Sequence, residues 1–222
     1  MLNAFTGSAL AETVNTTADL PSHGKIAAYM FSAPLLETMY RLGLAQDRKF
    51  GLQSGCTSQY QVKPVGSLVL APIDFPDARQ HPTKGAWFSR YQLERCGDSK
   101  LYNLLFVADS SGAAPTVRTY YPGSTIASPE LVNDAMASVI SGALVRSGLG
   151  SCRDIDVFDM RVTEQVHDVV QGDKTIKGVW NETWTLRMCG QMHDVAVIFI
   201  PDANGGGMTY TSGSAKTGEH SW

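Results

Sequence analysis

The residue pairs in this sequence most suited to acid–base chemistry are two histidines that each precede an aspartate. They are His193-Asp194 and His167-Asp168, and a carboxylate that orients an imidazole can create a general base. Adjacent residues of a strand point to opposite faces, so neither pair forms a dyad through sequence proximity. We predict that both histidines are solvated surface residues and assign no catalytic residue.

Acidic residues offer a second possible chemistry, the binding of calcium through carboxylate and carbonyl oxygens. The candidates are Asp154, Asp156, Asp159 and the loop 202–205. This loop has only a fragment of the EF-hand pattern and lacks its distal glutamate, and a similar turn from aspartate to glycine recurs at 109–112. Hairpin-turn geometry explains both loops better, so we predict no metal and no cofactor.

One short motif matches a known nucleophile pattern. Ser22 and Lys25 have the S-x-x-K spacing, but none of the companion motifs of serine acyl-transfer enzymes accompanies them. We assign no role to Ser22.

Four aromatic residues are the better candidates for ligand binding: Trp87, Tyr91, Trp180 and Trp184. Rings from two halves of the chain could meet across a groove and hold an apolar or sugar-like ligand. Their inward parity on the predicted strands favours packing in a core equally well.

The four cysteines are Cys56, Cys96, Cys152 and Cys189. An even number at symmetric positions is typical of disulfides in an exported protein. Three connectivities are possible, and we favour Cys56–Cys96 with Cys152–Cys189 because a duplicated unit would carry its own bridge. Free buried thiols in a cytosolic protein are the alternative.

The strongest signal about the fold is an internal repeat, with matching residues 93 positions apart. Segment 84–112 matches segment 177–205 without a gap, with nine identities in 29 positions that include tryptophan, cysteine, glycine and phenylalanine. Such residues rarely coincide by chance, so we predict a tandem duplication.

Each copy begins with a predicted helix. In the second copy Ser128 can cap the helix, Pro129 suits its first turn and Gly148 ends it, while apolar residues at helical spacing from Leu131 to Leu144 form one face. A weaker pattern starts at Ser32 and Pro34 in the first copy and is interrupted by Gly43. A strand over 25–31 is predicted before it.

Antiparallel strands follow each helix. They are predicted around Tyr60, Val62 and 67–70, then over 84–97, 102–108 and 116–121, and in the second copy over 155–162, 177–190, 195–200 and 208–211. The fold class is therefore α+β: a duplicated helix-plus-antiparallel-strands unit in a pseudo-twofold arrangement. We place the units at 23–123 and 124–212, packed as one domain, with a flexible tail at 213–222.

Composition narrows the possible partners. The formal net charge is −3, and no cluster of basic residues favours nucleic acid or an anionic membrane surface. No apolar stretch approaches the ~20 residues that span a bilayer. Residues 1–22 form an N-terminal segment, and Ala9-Leu10-Ala11 fits a signal-peptidase site, so we interpret 1–11 as a possible signal-peptide remnant.

We therefore expect a periplasmic or secreted, non-catalytic protein that binds a small ligand or an envelope protein through the surface between its units. One alternative is a structural component of an envelope assembly whose sheet edges pair with neighbours. A second alternative is an enzyme of unrecognised type.

Overall fold

Two similar units follow one another along the chain. The computed structural model describes residues 20–52, 56, 60–202 and 208–217. Unit 1 contains α1 (Leu20–Met30), α2 (Ala33–Phe50), β1 (Tyr60–Asp74), β2 (Lys84–Arg95), β3 (Asp98–Val107) and β4 (Thr116–Tyr120). Unit 2 contains α3 (Pro129–Ser147), β5 (Ile155–Gln171), β6 (Lys174–Met188), β7 (Gln191–Pro201) and β8 (Met208–Thr217).

The strands of each unit form one antiparallel sheet. Sheet A has the order β1-β2-β3-β4 and sheet B the order β5-β6-β7-β8, so each strand pairs with its neighbours in sequence. Short hairpins favour this topology because antiparallel strands need no long crossover. Each sheet is preceded by a helix, and the predicted duplicated α+β fold is confirmed.

The central hairpin of each sheet has the same unusual turn. Its two loop residues are Cys96-Gly97 in unit 1 and Cys189-Gly190 in unit 2, and all four have positive φ. Two-residue hairpin loops with both residues in this region match the twist of the flanking strands. A cysteine with positive φ is uncommon, so its recurrence in both units supports the duplication.

The disulfides join these hairpins to the chain before the first strand of each sheet. Cys56 is bonded to Cys96 and Cys152 to Cys189, with Cα atoms 5.8 and 5.9 Å apart. The favoured pairing is confirmed. Bridging loops of this length stabilises a fold by roughly 4 kcal/mol in the loop-entropy estimate.

Equivalent aromatic pairs lie at the centre of the two cores. The Trp87 and Phe106 rings stack with centroids 5.2 Å apart, and the Trp180 and Phe199 rings stack at 4.8 Å. Each pair lies on adjacent strands of its sheet. The repeat seen in the sequence is therefore also a repeat of packing.

Helices α2 and α3 begin where the sequence predicts. The hydroxyl of Ser128 accepts a hydrogen bond from Leu131 N, and Gly148 ends α3 in the left-handed conformation. Gly43, predicted to interrupt the helix, lies inside α2. It is a place of close contact with β2, because a Cβ at this position would lie 3.1 Å from the Tyr91 hydroxyl. The glycine lets the helix approach β2.

Two regions near the ends of the described chain differ from the predictions, and β5 also continues to Gln171, beyond the predicted 155–162. The strand predicted over 25–31 is wrong, because this segment belongs to α1, where Ile26, Tyr29 and Met30 pack at helical spacing on the core of unit 1. At the other end β8 continues to Thr217, into the segment predicted to be a flexible tail. Residues 218–222 and the possible signal-peptide remnant at 1–11 lie outside the described residues.

A β-bulge in β5 places a side chain of unit 2 in the core of unit 1. Val62 and Lys63 pair consecutively with β2, whereas an extra residue, Phe158, stands between Val157 and Asp159 in β5. Bulges redirect side chains, and the Phe158 ring enters the core of unit 1 with its centroid 5.2 Å from that of Phe50. The contacts between the units thus rest on residues that are not repeated.

Ion pairs reinforce the same junction. Asp156 contacts Lys49 at the end of α2 and accepts a hydrogen bond of 2.8 Å from Arg187. Arg187 also donates to the Lys49 carbonyl at 2.9 Å. Lys100 of sheet A lies 3.3 Å from Asp159 and above the Phe158 ring. Carboxylates of β5 therefore pair with cations of unit 1.

Candidate functional site

The four aromatic candidates for ligand binding lie inside the cores. Trp87, Tyr91 and Trp184 are fully buried and Trp180 is nearly so. Their neighbours are the side chains of the covering helices and adjacent strands. Of the two interpretations that the sequence left open, the structure therefore favours packing in the core, and we base no binding site on these residues.

The histidine–aspartate pairs do not form dyads. His193 faces the core of unit 2 with an exposed fraction of 4%, and its Nε2 atom has no hydrogen-bond partner among the described residues. Asp194 points to the other face, where its carboxylate accepts a 2.6 Å hydrogen bond from Thr185. The prediction of a solvated position is therefore wrong for His193, because the alternation of β7 turns it inward.

His167 is the more exposed of the two histidines. Its ring contacts Glu164 at 3.4 Å and the Gln165 carbonyl at 2.8 Å. Asp168 instead accepts a hydrogen bond from the Gly178 backbone at 3.3 Å. The predicted polar surface position is consistent with these contacts.

Three of the four aspartates considered for calcium have other partners for their carboxylates. Asp156 and Asp159 form the ion pairs with unit 1 described above. Asp202 accepts a hydrogen bond from Thr209 at 2.9 Å, while 203–207 lie outside the described residues. Within the described part of the chain, no group of three or more histidine, cysteine, aspartate or glutamate residues is arranged to hold a metal ion. The side chain of Ser22 is likewise outside the described part.

An open cavity lies where the units meet. It is a groove of about 720 Å³ between the face of sheet A that points away from α2, here called the open face, and the connector 121–128. Its walls are largely apolar and include Leu68, Leu70, Phe88, Tyr120, Ile126 and Met160. Small-molecule sites typically have this size and character.

Strand register places a polar row across the floor of the groove. Gly66, Arg90, Asn103 and Tyr120 are cross-strand neighbours on β1, β2, β3 and β4. The next row contains Leu68 opposite Phe88. The floor therefore changes from polar to apolar over the spacing of two residues.

Asn103 holds the middle of this row. Its side-chain nitrogen donates to the carbonyls of Tyr121 and Gly123 at 2.7 and 2.9 Å, and its oxygen accepts from Arg90 Nε at 3.0 Å. One amide thus fixes both the connector wall and the guanidinium.

Arg90 is a half-buried cation with no counter-ion among the described residues. Burial lowers the pKa of its guanidinium, and no carboxylate among the described residues forms an ion pair with it. Because its Nε donates a hydrogen bond to Asn103, the two terminal nitrogens of the guanidinium are the groups that can bind an anion. Guanidinium groups bind carboxylates in this way.

No protein-family model, curated protein or solved structure matches this chain.

A buried carboxylate fixes the connector from the other side. Glu182 is fully buried in sheet B. Its oxygens accept hydrogen bonds of 2.8–2.9 Å from the Thr125 hydroxyl, the Ile126 N–H and the indole N–H groups of Trp180 and Trp184. Four donors satisfy a carboxylate well, so the groove has a rigid wall.

Sheet B presents a different surface at the equivalent place. Thr183 stands where Arg90 stands in unit 1, 93 residues earlier, and pairs with Arg161 of β5. Arg161 forms an ion pair of 3.4 Å with Asp194. Arg161 is therefore neutralised, whereas no ion pair to Arg90 is formed within the described part of the chain.

Two features bear on where the protein folds. The two disulfides indicate an oxidising, extracytoplasmic compartment. Among the described residues, no helix combines the length and the apolar character that crossing a membrane requires.

Sequence reasoning expected binding between the units but missed the residues that line this groove, although one signal for them was present. The apolar run 67–70 is predicted as a strand, and its exposure follows from the position of β1 at the edge of sheet A. The sequence could not predict that Arg90 has no ion pair among the described residues, because this depends on which carboxylates the fold places beside its guanidinium.

Proposed function

We propose that this chain is an exported, periplasmic or secreted, non-catalytic protein that binds an apolar ligand in the groove between its two units. The observation that carries the proposal is the exposure of apolar side chains around a preformed cavity of about 720 Å³. Burying them against a ligand would gain ~25 cal/mol for each Å² removed from water.

The polar residues of the groove support a binding role because their hydrogen bonds hold its walls. Asn103 bonds the connector and Arg90, and Thr125 bonds Glu182. The Tyr120 hydroxyl donates to the Pro129 carbonyl at 3.3 Å, and burial raises its pKa to about 12. A rigid site needs little ordering when the ligand binds, which favours affinity.

Nile red, a neutral apolar dye, tests this function. We expect saturable binding with a rise in fluorescence, and we expect Leu68→Glu to weaken it at least about tenfold, because a charge would enter the apolar floor. Leu68 is 59% exposed, so the substitution should not unfold the protein.

Val170→Glu is the matched control for this experiment. Val170 is 74% exposed and lies on β5, the equivalent edge strand of sheet B, outside the groove. It should leave dye binding unchanged. Equal loss in both variants, or no saturable binding by the unmodified protein, would contradict the proposal.

An assembly role is a second candidate, which the edge of sheet A favours. Strand β1 exposes Leu68 on the open face and Val69 on the opposite face. Edge strands that expose apolar side chains on both faces are prone to pair with other chains.

We expect sedimentation velocity at micromolar concentrations to detect a dimer if β1 edges pair. Val69→Lys should then shift the protein to a monomer, because charged residues on edges oppose pairing. A strict monomer at every concentration would exclude edge pairing between copies.

A further inference from the structure

We propose that the ligand of the groove is an amphiphile with a single carboxylate head, held by Arg90, and an unbranched acyl chain, held by the apolar floor and walls. This inference rests on the proposed binding function and names the class of ligand.

The charge of Arg90 is the reason for proposing a carboxylate head. A cation that is taken out of water without a partner is costly, and Arg90 has no ion pair among the described residues. Asn103 accepts from its Nε at 3.0 Å and so orients the guanidinium before any ligand binds. The comparable arginine of sheet B, Arg161, already has Asp194, whereas Arg90 can offer its half-buried guanidinium to an outside carboxylate.

Space next to Arg90 is available for the head group. Its cross-strand neighbour on β1 is Gly66, and a Cβ built there meets no atom within 4 Å. The acidic residue of the groove, Glu130, is exposed in the first turn of α3, where the positive end of the helix dipole favours its charge. The floor itself is therefore cationic.

The remaining polar groups of the groove favour an acyl chain over a peptide. A peptide brings one N–H and one C=O per residue, and each of these needs a partner when it is buried. Asn103, Thr125 and Tyr120 already use their side chains to hold the walls. A hydrocarbon chain needs no hydrogen bonds, and Leu68 and Phe88 lie directly beside the polar row to receive it.

The test compares decanoate with decanol as competitors of Nile red on the full oxidised chain. We expect decanoate to bind at least about tenfold more tightly than decanol, a ratio equivalent to ~1.4 kcal/mol. Arg90→Gln should remove this preference. Arg118→Gln, which changes an exposed cation on β4 outside the groove, should keep it.

A second variant avoids any folding problem at the half-buried Arg90. Gly66 is the residue opposite Arg90, and the Cβ atoms of cross-strand pairs typically lie ~4.5–5.5 Å apart. The carboxylate of Gly66→Glu would therefore form an ion pair with the Arg90 guanidinium and compete with the ligand for it. We expect it to lower decanoate affinity about tenfold to the level of decanol. Gly66→Gln, of the same size and neutral, should lower it much less, and both variants should still bind Nile red.

The outcomes separate this inference from the function on which it rests. If decanoate and decanol bind equally to the unmodified protein, or if Gly66→Glu leaves decanoate affinity unchanged, the carboxylate assignment is wrong although Nile red binding still supports the groove. If Nile red, decanol and decanoate all fail to bind, both proposals are wrong.

Discussion

Replacing Glu182 with alanine is expected to lower the free energy of unfolding by at least about 3 kcal/mol. The substitution leaves the indole N–H groups of Trp180 and Trp184 buried without an acceptor, and each unsatisfied buried donor costs ~1–3 kcal/mol. It also frees the Thr125 hydroxyl and the Ile126 N–H. Urea denaturation of the oxidised protein, followed by tryptophan fluorescence, measures the change.

Glu182→Gln should be intermediate in effect. The amide keeps the volume and one acceptor oxygen, but its NH₂ group would face donors, because all four partners of Glu182 donate. The matched control is Ser89→Ala, since Ser89 is the equivalent residue of unit 1 and is also buried. Within the described part of the chain its hydroxyl forms one hydrogen bond, to Ser67 at 3.4 Å, and we expect a cost below about 1 kcal/mol. Equal effects at both positions would contradict the role given to Glu182.

Glu182 of unit 2 and Ser89 of unit 1 occupy equivalent positions, and the difference between them shows how the cores of the two units have diverged. In unit 1 the Trp87 indole N–H and the Tyr91 hydroxyl have no hydrogen-bond partner among the described residues. These atoms correspond to the groups that Glu182 satisfies in unit 2. Unit 1 has its buried charges elsewhere, around Asp47. The duplicated fold therefore tolerates a polar cluster at different places between helix and sheet.

Features that depend on local sequence could be predicted. Ser128, Pro129 and Gly148 mark the ends of α3 through capping chemistry, and the structure confirms them. The repeat located both central hairpins, and the symmetric cysteines indicated the disulfides. Such signals act within a few residues or recur in both copies, so no tertiary information is needed to read them.

Features that depend on tertiary contacts could not be predicted in the same way. Segment 25–31 is apolar enough to suggest a strand, but its helical spacing matters only once sheet A offers a surface to cover. Gly43 resembles a helix breaker until Tyr91 is known to lie against it. Parity placed the aromatic residues on inward faces without distinguishing a core from a ligand site.

The largest remaining effect is expected at the buried ion pair of unit 1. Asp47 is fully buried in α2, 3.1 Å from Arg95 at the end of β2, and also accepts a hydrogen bond from the Tyr102 hydroxyl. Asp47→Ala should lower the free energy of unfolding by ~3–5 kcal/mol, because it leaves the Arg95 guanidinium buried and uncompensated apart from exposed Asp98.

Removing the whole polar cluster should cost less than removing its acid alone. The triple variant Asp47→Leu, Arg95→Met and Tyr102→Phe keeps side-chain volume and removes the buried charges of Asp47 and Arg95 together, and such replacements are often neutral or stabilising. Unit 2 supplies a precedent within the same chain, since Met188 occupies the position of Arg95 and is fully buried. We expect the triple variant to be at least about 2 kcal/mol more stable than Asp47→Ala. Urea denaturation of both proteins decides the matter: an equally unstable triple variant would mean that the ion pair itself, and not the cost of an unpaired charge, stabilises unit 1.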